Sequence, residues 1–230
     1  SKNFNIFLYQ RRNDAMQIRK IKSRGFLFTH SNPGWDLNVY LIIGKKYNYI
    51  IDTGLGSLSI EPIKEYLKND NRTTIVINTH YHWDHIWGNG SLKDYTIVSH
   101  KLCREMIQLK WEEMIQKNGQ YCYGDVEMHL PNLVFEKELY FAEDKIKLFH
   151  TPGHTLDSIS VLDEEDDVIL LGDNIGDSLE DIIPSIYCEK DVYMNTMKKY
   201  EEMDFDICIS GHNTILKKEV IGKILNLLLQ

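Results

Sequence analysis

Short apolar stretches, many alternating with polar residues, crowd the first quarter of the chain. Met16–Ile21, Phe26–His30, Val39–Ile43 and Asn48–Asp52 have the β-branched and aromatic content of strands and are separated by Gly, Asn, Pro and Lys-rich turns, which predicts an antiparallel meander. Ser59 ahead of Ile60-Glu61-Pro62 predicts a cap and the first turn of a helix reaching about Lys68. Thr74–Asn78 is a short apolar run of the kind buried on both faces, and Thr96–Ser99 is another. Helical spacing then takes over in Lys101–Asn118, with Leu102, Met106 and Leu109 on one stripe, Ile107, Trp111, Met114 and Ile115 on the next, and Gly119 as the stop. Further strands are expected at Leu139–Phe141, Ile146–His150, Ser158–Leu162, Val168–Leu171 and Ile207–Ser210, with helices at Val192–Glu202 and Lys218–Leu229. The acidic run Asp163–Asp167 is expected to be a solvated hairpin turn, because like charges in a row prefer water.

No low-complexity linker or short repeat interrupts this order. Strands, helix, strands and helix again predict two β-rich layers covered by helices, an α/β sandwich in one domain over 1–230 with a helix and loop inserted at about 101–131. Composition narrows the function. With 43% hydrophobic and 26% charged residues the chain is neither disordered nor a disulfide scaffold. A formal net charge of −8 argues against a binder of nucleic-acid backbone, whose affinity rests on clustered Lys and Arg. The four cysteines form no C-x-x-C pair, and Ser1–Gln10 has no leader pattern. The apolar runs fall far short of a membrane span. The expected setting is soluble and cytoplasmic, with a small-molecule substrate and no nucleic-acid or membrane partner.

Three of the nine histidines fall within six residues, His80-Tyr81-His82-Trp83-Asp84-His85, directly after a strand. In a turn leaving a strand, His80 and His82 can face one side while Asp84 and His85 face another. Each pair is too few for a tetrahedral ion, so further ligands are expected on distant loops. His154 in Thr-Pro-Gly-His-Thr, Asp173 in Leu-Gly-Asp-Asn and His212 in Ser-Gly-His-Asn each follow a strand and supply them. Without a metal, two carboxylates and five histidines gathered in one place would be a costly polar cluster. Lone histidines are by default structural, and His30, His100, His129 and His150 take that reading first.

This set resembles the metallo-β-lactamase-fold hydrolases, over about the whole chain and through five separate motifs in the right order. The resemblance implies a four-layer αββα sandwich of two mixed sheets flanked by helices. It implies that His80, His82 and His154 bind one divalent ion, that Asp84, His85 and His212 bind a second, and that Asp173 bridges them. It also matches Asp52, in Ile-Asp-Thr-Gly, to an aspartate that orients ligands from behind, and Ser158 to a position common after the third motif; Asp52 reads equally well as a turn residue capping its own loop. Zinc is the first expectation for both ions, and iron or manganese suits the same donors. Metal-bridging hydroxide would attack a small-molecule ester, thioester, lactone or phosphoester, and Asp84 would pass a proton to the leaving group.

Two surfaces are candidates for substrate contact: Trp35, in the turn Ser31–Asp36, and the irregular stretch Gln120–Pro131, which carries Tyr121, Tyr123 and His129 and has the length of a lid. The branches of the family narrow the reading further. Asp173 stands where cysteine-ligand β-lactamases have Cys, only 18 residues follow His212 where glyoxalase II enzymes add a helical domain, and Gly176 stands where the related lactonases have a tyrosine. Dedicated β-lactamase, glutathione-thioester and lactonase activities are therefore not expected. The alternative class is a single-iron redox enzyme of the same fold, similar to the persulfide dioxygenases, which keep only the first ion's ligands.

Overall fold

The sequence runs fold into two sheets because their apolar residues have two faces to bury. In the computed structural model, which describes residues 6–9, 16–32 and 34–230, the first sheet has eight strands in sequence order. Strands β1 (Ile6–Tyr9), β2 (Met16–Ile21), β3 (Gly25–Asn32), β4 (Trp35–Ile43) and β5 (Tyr47–Ile51) form the antiparallel meander. Strands β6 (Thr73–Ile77), β7 (Thr96–His100) and β8 (Leu133–Phe135) continue it in parallel. The second sheet comprises β9 (Glu138–Phe141), β10 (Ile146–His150), β11 (Ile159–Asp163), β12 (Val168–Leu170), β13 (Ile207–Ile209) and β14 (Leu216–Lys217), antiparallel except between β12 and β13.

Period-two alternation then sorts the side chains into layers. Tyr49 and Ile51 of β5 and Ile75 and Ile77 of β6 meet Ile146, Leu148, Ile159 and Val161 of the other sheet in the central core. Their neighbours Ile50 and Val76 face outward onto Ile60 and Ile63 of α1 (Ser57–Leu67). On the far side, Phe149, Leu162 and Ile169 pack against α4 (Lys190–Glu202) and α5 (Glu219–Leu228). Two mixed sheets flanked by helices are thus the expected α/β architecture. Helix α3 (Lys101–Asn118) forms its own core with Ile86 of α2 (Trp83–Ile86) and the adjoining Trp87, through Cys103, Ile107, Trp111 and Met114. All four cysteines are free thiols.

Three expectations need correction. Helix α1 starts at Ser57, and Ser59 is buried within it; its Oγ accepts the Leu55 N–H at 3.0 Å, so it fastens the preceding loop and does not cap the helix. The acidic run is not all solvated: Asp163 is 1% exposed and Asp166 is buried, because both hold Arg24. Arg24 Nε donates to Asp163 Oδ2 at 3.0 Å, and its backbone N–H donates to Asp166 Oδ2 at 3.0 Å. A distant guanidinium supplies the partner that like charges in sequence cannot supply. Finally, the stretch after α3 is a strap and not a lid. Tyr123 N–H donates to Leu55 O at 3.0 Å, Ser57 N–H donates to Asp125 O at 2.9 Å, and Asn89 Nδ2 donates to His129 O at 3.2 Å, tying it to α1 and the turn after α2. Pro33 of the first candidate surface, and Ser1–Asn5 and Gln10 of the N-terminal reading, lie outside the described residues.

Candidate metal centre

The seven expected ligands lie in the segments that follow β6, β10, β12 and β13 and gather in one place. His80 follows β6; Asp84 and His85 sit on the single turn of α2; His154 lies between β10 and β11, Asp173 follows β12 and His212 follows β13. Among the described residues two donor groups form, His80–His82–His154–Asp173 and Asp84–His85–His212, in each of which one ligand atom per residue lies within 4.8 Å of the others. Asp173 Oδ2 stands between them, 3.2 Å from His85 Nε2, 3.4 Å from His212 Nε2, 3.6 Å from His80 Nε2 and 3.7 Å from His154 Nε2.

The hydrogen bonds behind the rings decide which nitrogen faces inward. His154 Nδ1 donates to Ser185 O at 2.6 Å and His212 Nδ1 to Asp36 O at 2.8 Å. His85 Nδ1 donates to Asp52 Oδ2 at 2.7 Å. Thr79 gives its amide and its hydroxyl to Asp52, each at 2.7 Å, so its Oγ1 accepts from His80 Nδ1 at 3.1 Å. Four imidazoles are thereby fixed with Nε2 toward the centre, the outer hydrogen bonding that ligand histidines require. Asp52 is central to this. It holds φ of 62° after β5, a left-handed conformation that aims its carboxylate across the strand ends. Ser158 does not reach a ligand ring; its Oγ lies 2.8 Å from Thr155 Oγ1 and closes the turn after His154. Sequence reading passed over Asn174, whose Oδ1 accepts the His154 N–H at 2.8 Å, and Gly211, where any side-chain carbon would collide with Asp173 and His85. Both adjoin an identified ligand, which is the only signal they carried.

The donor set fits a cation. His80 Nε2, His85 Nε2 and Asp173 Oδ1 are buried without a hydrogen-bond partner, an expensive state unless something positive joins them. Burial pushes His80 well below the ordinary imidazole pKa, with His85 adding to the effect, and burial beside His154 takes His82 down to about 4. For His85 burial acts the same way, but Asp173, Asp52 and Asp84 outweigh it and hold its pKa well above the ordinary value; His212 is raised likewise by Asp173 and Asp84. Burial opposes charge on Asp84 and Asp173, yet the neighbouring histidines, His85 foremost, keep both below the usual carboxylate range. His80 and His82 therefore offer neutral nitrogens, while the carboxylates of Asp52, Asp84 and Asp173 concentrate negative charge around His85 and His212.

A cleft of about 440 Å³ opens above these atoms, lined by His82, Asp84, His154, Asp173 and His212 at its floor. Trp35 packs edge-on to His212 with ring centroids 5.7 Å apart, and Trp83 stacks on Tyr121 at 5.3 Å, so three rings from three elements gather beside one ligand. Tyr187 covers His82 and His154 at 5.6 and 5.4 Å, another residue the sequence reading missed. None of the four expected contacts lines this cleft: Trp35 and Tyr121 pack behind His212 and Trp83 at its edge, the Tyr123 ring sits 6.1 Å from His30, and His129 belongs to the strap.

Comparison with known proteins agrees with this geometry. The sequence is similar over 178 residues to a probable metallo-hydrolase of Methanocaldococcus jannaschii, with 28% identity, 76% of this chain and 70% of the relative covered. It is 28% identical over 140 residues to a hydroxyacylglutathione hydrolase of Pelagibacter ubique, covering 59% of this chain and 50% of that protein. It is 29% identical over 164 residues to an atrochrysone carboxyl ACP thioesterase of Aspergillus chevalieri, covering 69% and 47%. The fold matches a metallo-β-lactamase from Pontibacter korlensis with a TM-score of 0.71 at 17% identity, over 94% of this chain and 99% of that one. It matches the DIM-1 metallo-β-lactamase with a TM-score of 0.71 at 18% identity, over 97% and 99%. The sequence profile described as the metallo-beta-lactamase superfamily spans residues 33–212, from the β3–β4 hairpin to the last ligand, and the chain therefore belongs to that superfamily.

Proposed function

We propose that the protein is a hydrolase of small carboxylic thioesters or esters that works with two divalent ions, zinc first. His80, His82 and His154 would hold one, Asp84, His85 and His212 the other, with Asp173 between them. The observation that carries this reading is the pair of complete, adjacent donor groups around Asp173 Oδ2. Ions held there would supply Lewis acidity and bring the pKa of water they bind down to about 7. The completeness of the second group favours this reading over single-iron redox chemistry.

The chain's own residues supply the rest. Asp84, at the cleft floor with Oδ2 3.2 Å from His212 Nε2, is placed to take a proton from the attacking water and deliver it to the leaving group. Asp52 and Thr79 keep His85 and His80 in register, and the carbonyls of Ser185 and Asp36 do so for His154 and His212. Trp83 presents an aromatic face to the cleft for an apolar acyl group, and Trp35 and Tyr121 pack against that ring from behind. Thioesters are placed ahead of lactones and phosphoesters because two relatives bear names of thioester chemistry, although the match spans only about half of each. The net charge of −8 supports a small-molecule substrate over nucleic acid, and four unpaired thiols support a cytoplasmic setting. No helix among the described residues is long and apolar enough to cross a membrane.

The test is elemental analysis of the native protein followed by a panel of thioesters, esters, lactones and phosphodiesters, before and after chelation. About two metal equivalents per chain and thioester or ester cleavage that returns with the metal are expected. A protein that cleaves equally well without metal would refute the reading.

A further inference from the structure

The cleft has walls as well as a floor, and one wall is charged in a way that the metal chemistry does not use. Lys110, Glu113, Met114 and Lys117, spaced as one face of α3, line it. Met114 is buried against the helix core, which fixes this face toward the cleft. The two lysines hold a single carboxylate between them: Lys110 Nζ donates to Glu113 Oε2 at 2.9 Å and Lys117 Nζ to Glu113 Oε1 at 2.6 Å. Their joint effect takes the Glu113 carboxyl down to about 2. Two ammoniums on one carboxylate leave a net positive charge, and each ammonium has three donors of which Glu113 receives one. The lysine side chains remain 39% and 67% exposed, open to a ligand from the cleft. Asp177 and Asp181, on the loop after Gly176, line the same cleft. Their charge disfavours an anion on that loop, whereas the lysine pair of α3 attracts one.

We propose that Lys110 and Lys117 form a subsite for a carboxylate that the substrate carries at a distance from the bond being broken. Glu113 shows that a carboxylate fits between the two ammoniums, and it both holds them in place and competes with the ligand. The subsite orients the substrate: the reacting carbonyl lies over the donor groups, and the remote anion lies along α3. This inference rests on the hydrolase reading for its chemistry, and it gives the substrate a charge that reading left open. A net charge of −8 over the whole chain had pointed away from recognition of anions by lysine, but a local pair within a cleft acts at contact distance, inside the screening length.

The experiment uses the native metal-loaded protein and S-benzoyl thioesters of 3-mercaptopropionate and 6-mercaptohexanoate, each against its neutral carboxamide counterpart. The wild type should prefer the carboxylate by about tenfold in KM for at least one chain length. In the double variant Lys110→Met, Lys117→Met that ratio should collapse toward one. In Glu113→Gln, which removes the competing carboxylate, it should grow. No charge preference at either length, or a preference that survives the double substitution, overturns the proposal. Binding of N-benzoyl-6-aminohexanoate and its carboxamide, followed by tryptophan fluorescence, reads the subsite without turnover. Lysine-dependent binding of the carboxylate with no thioester cleavage would sustain the subsite and defeat the hydrolase. Cleavage with no charge preference in either measurement would do the reverse.

Discussion

Asp84 is the residue on which the proposed chemistry turns, since it faces the cleft and both histidines of its group at once. Asp84→Asn should keep the fold and the metal of the His80 group, yet lower kcat by about 10²-fold or more, the usual worth of a proton-transfer group. Unchanged kcat in steady-state assays would remove Asp84 from the mechanism. A second carboxyl, Asp157, carries a pH dependence of its own. It is 1% exposed, beside the Cys103 thiol and the Tyr81 amide, and burial raises its pKa from 3.8 to about 6. The unfolded chain ionises first as the pH rises, so the stability from the neutral carboxyl is full below about pH 4, falls away through pH 6 and is absent above. Asp157→Asn should therefore be more stable than wild type in urea melts at pH 7.5, by up to ~3 kcal/mol, and the gap should shrink at pH 5. An equal gap at both pH values would show that the carboxyl is not neutral in the fold. The sequence displayed Asp84 through its motif, whereas Asp157 looked like any loop aspartate, because its burial depends on Cys103 and Tyr81, 54 and 76 positions away.

Helix α3 shows how an element can be read correctly and still be only half understood. Its bounds, Lys101–Asn118, and its buried stripe through Ile107, Trp111 and Met114 follow from spacing, whereas Leu102 and Leu109 of the other expected stripe are exposed. Its cap does not follow. His100 Nδ1 accepts the Leu102 N–H at 3.2 Å while Nε2 donates to Glu136 O at 3.0 Å, and the ring stacks on His150 at 4.0 Å. Burial lowers the His100 pKa, with His150 next in effect, so the folded protein resists protonation there. Stability from the neutral ring is present above pH 6.5 and is lost as the pH falls from that value toward the depressed one. His100→Asn, which keeps a capping acceptor, should flatten the thermal stability of the protein between pH 7.5 and 5.5 relative to wild type. His100→Ala should cost about 1 kcal/mol at pH 7.5, as the loss of a helix cap does. The strap after α3 is the complementary case. Its irregular sequence suggested a lid, but backbone hydrogen bonds to Leu55, Ser57 and Leu58 hold it, and such bonds leave no trace in residue type.

At the scale of the whole molecule, the donor groups join both sheets, since His80, Asp84 and His85 follow the first sheet and His154, Asp173 and His212 belong to the second. Metal bound there would tie the layers together. Exhaustive chelation should lower the melting temperature by several degrees, on the order of 3–4 kcal/mol at 100 to 1,000 times the dissociation constant, and added metal should restore it. A melting curve indifferent to chelator would show that the groups are not occupied in the native protein. Residue order alone carried the strand and helix periods, two sheets flanked by helices and the seven side chains that cluster as metal donors, because alternation and motif spacing are local properties. Tertiary contacts settled the rest: that Asp52 and Thr79 fix the rings, that Asp163 and Asp166 are buried on Arg24, that Trp83 and Tyr187 line the cleft while Trp35, Tyr121, Tyr123 and His129 do not, and that Lys110 and Lys117 line it too. Those facts depend on which surfaces meet when two sheets close on a shared core, and contacts between residues far apart in the chain have no local pattern to announce them.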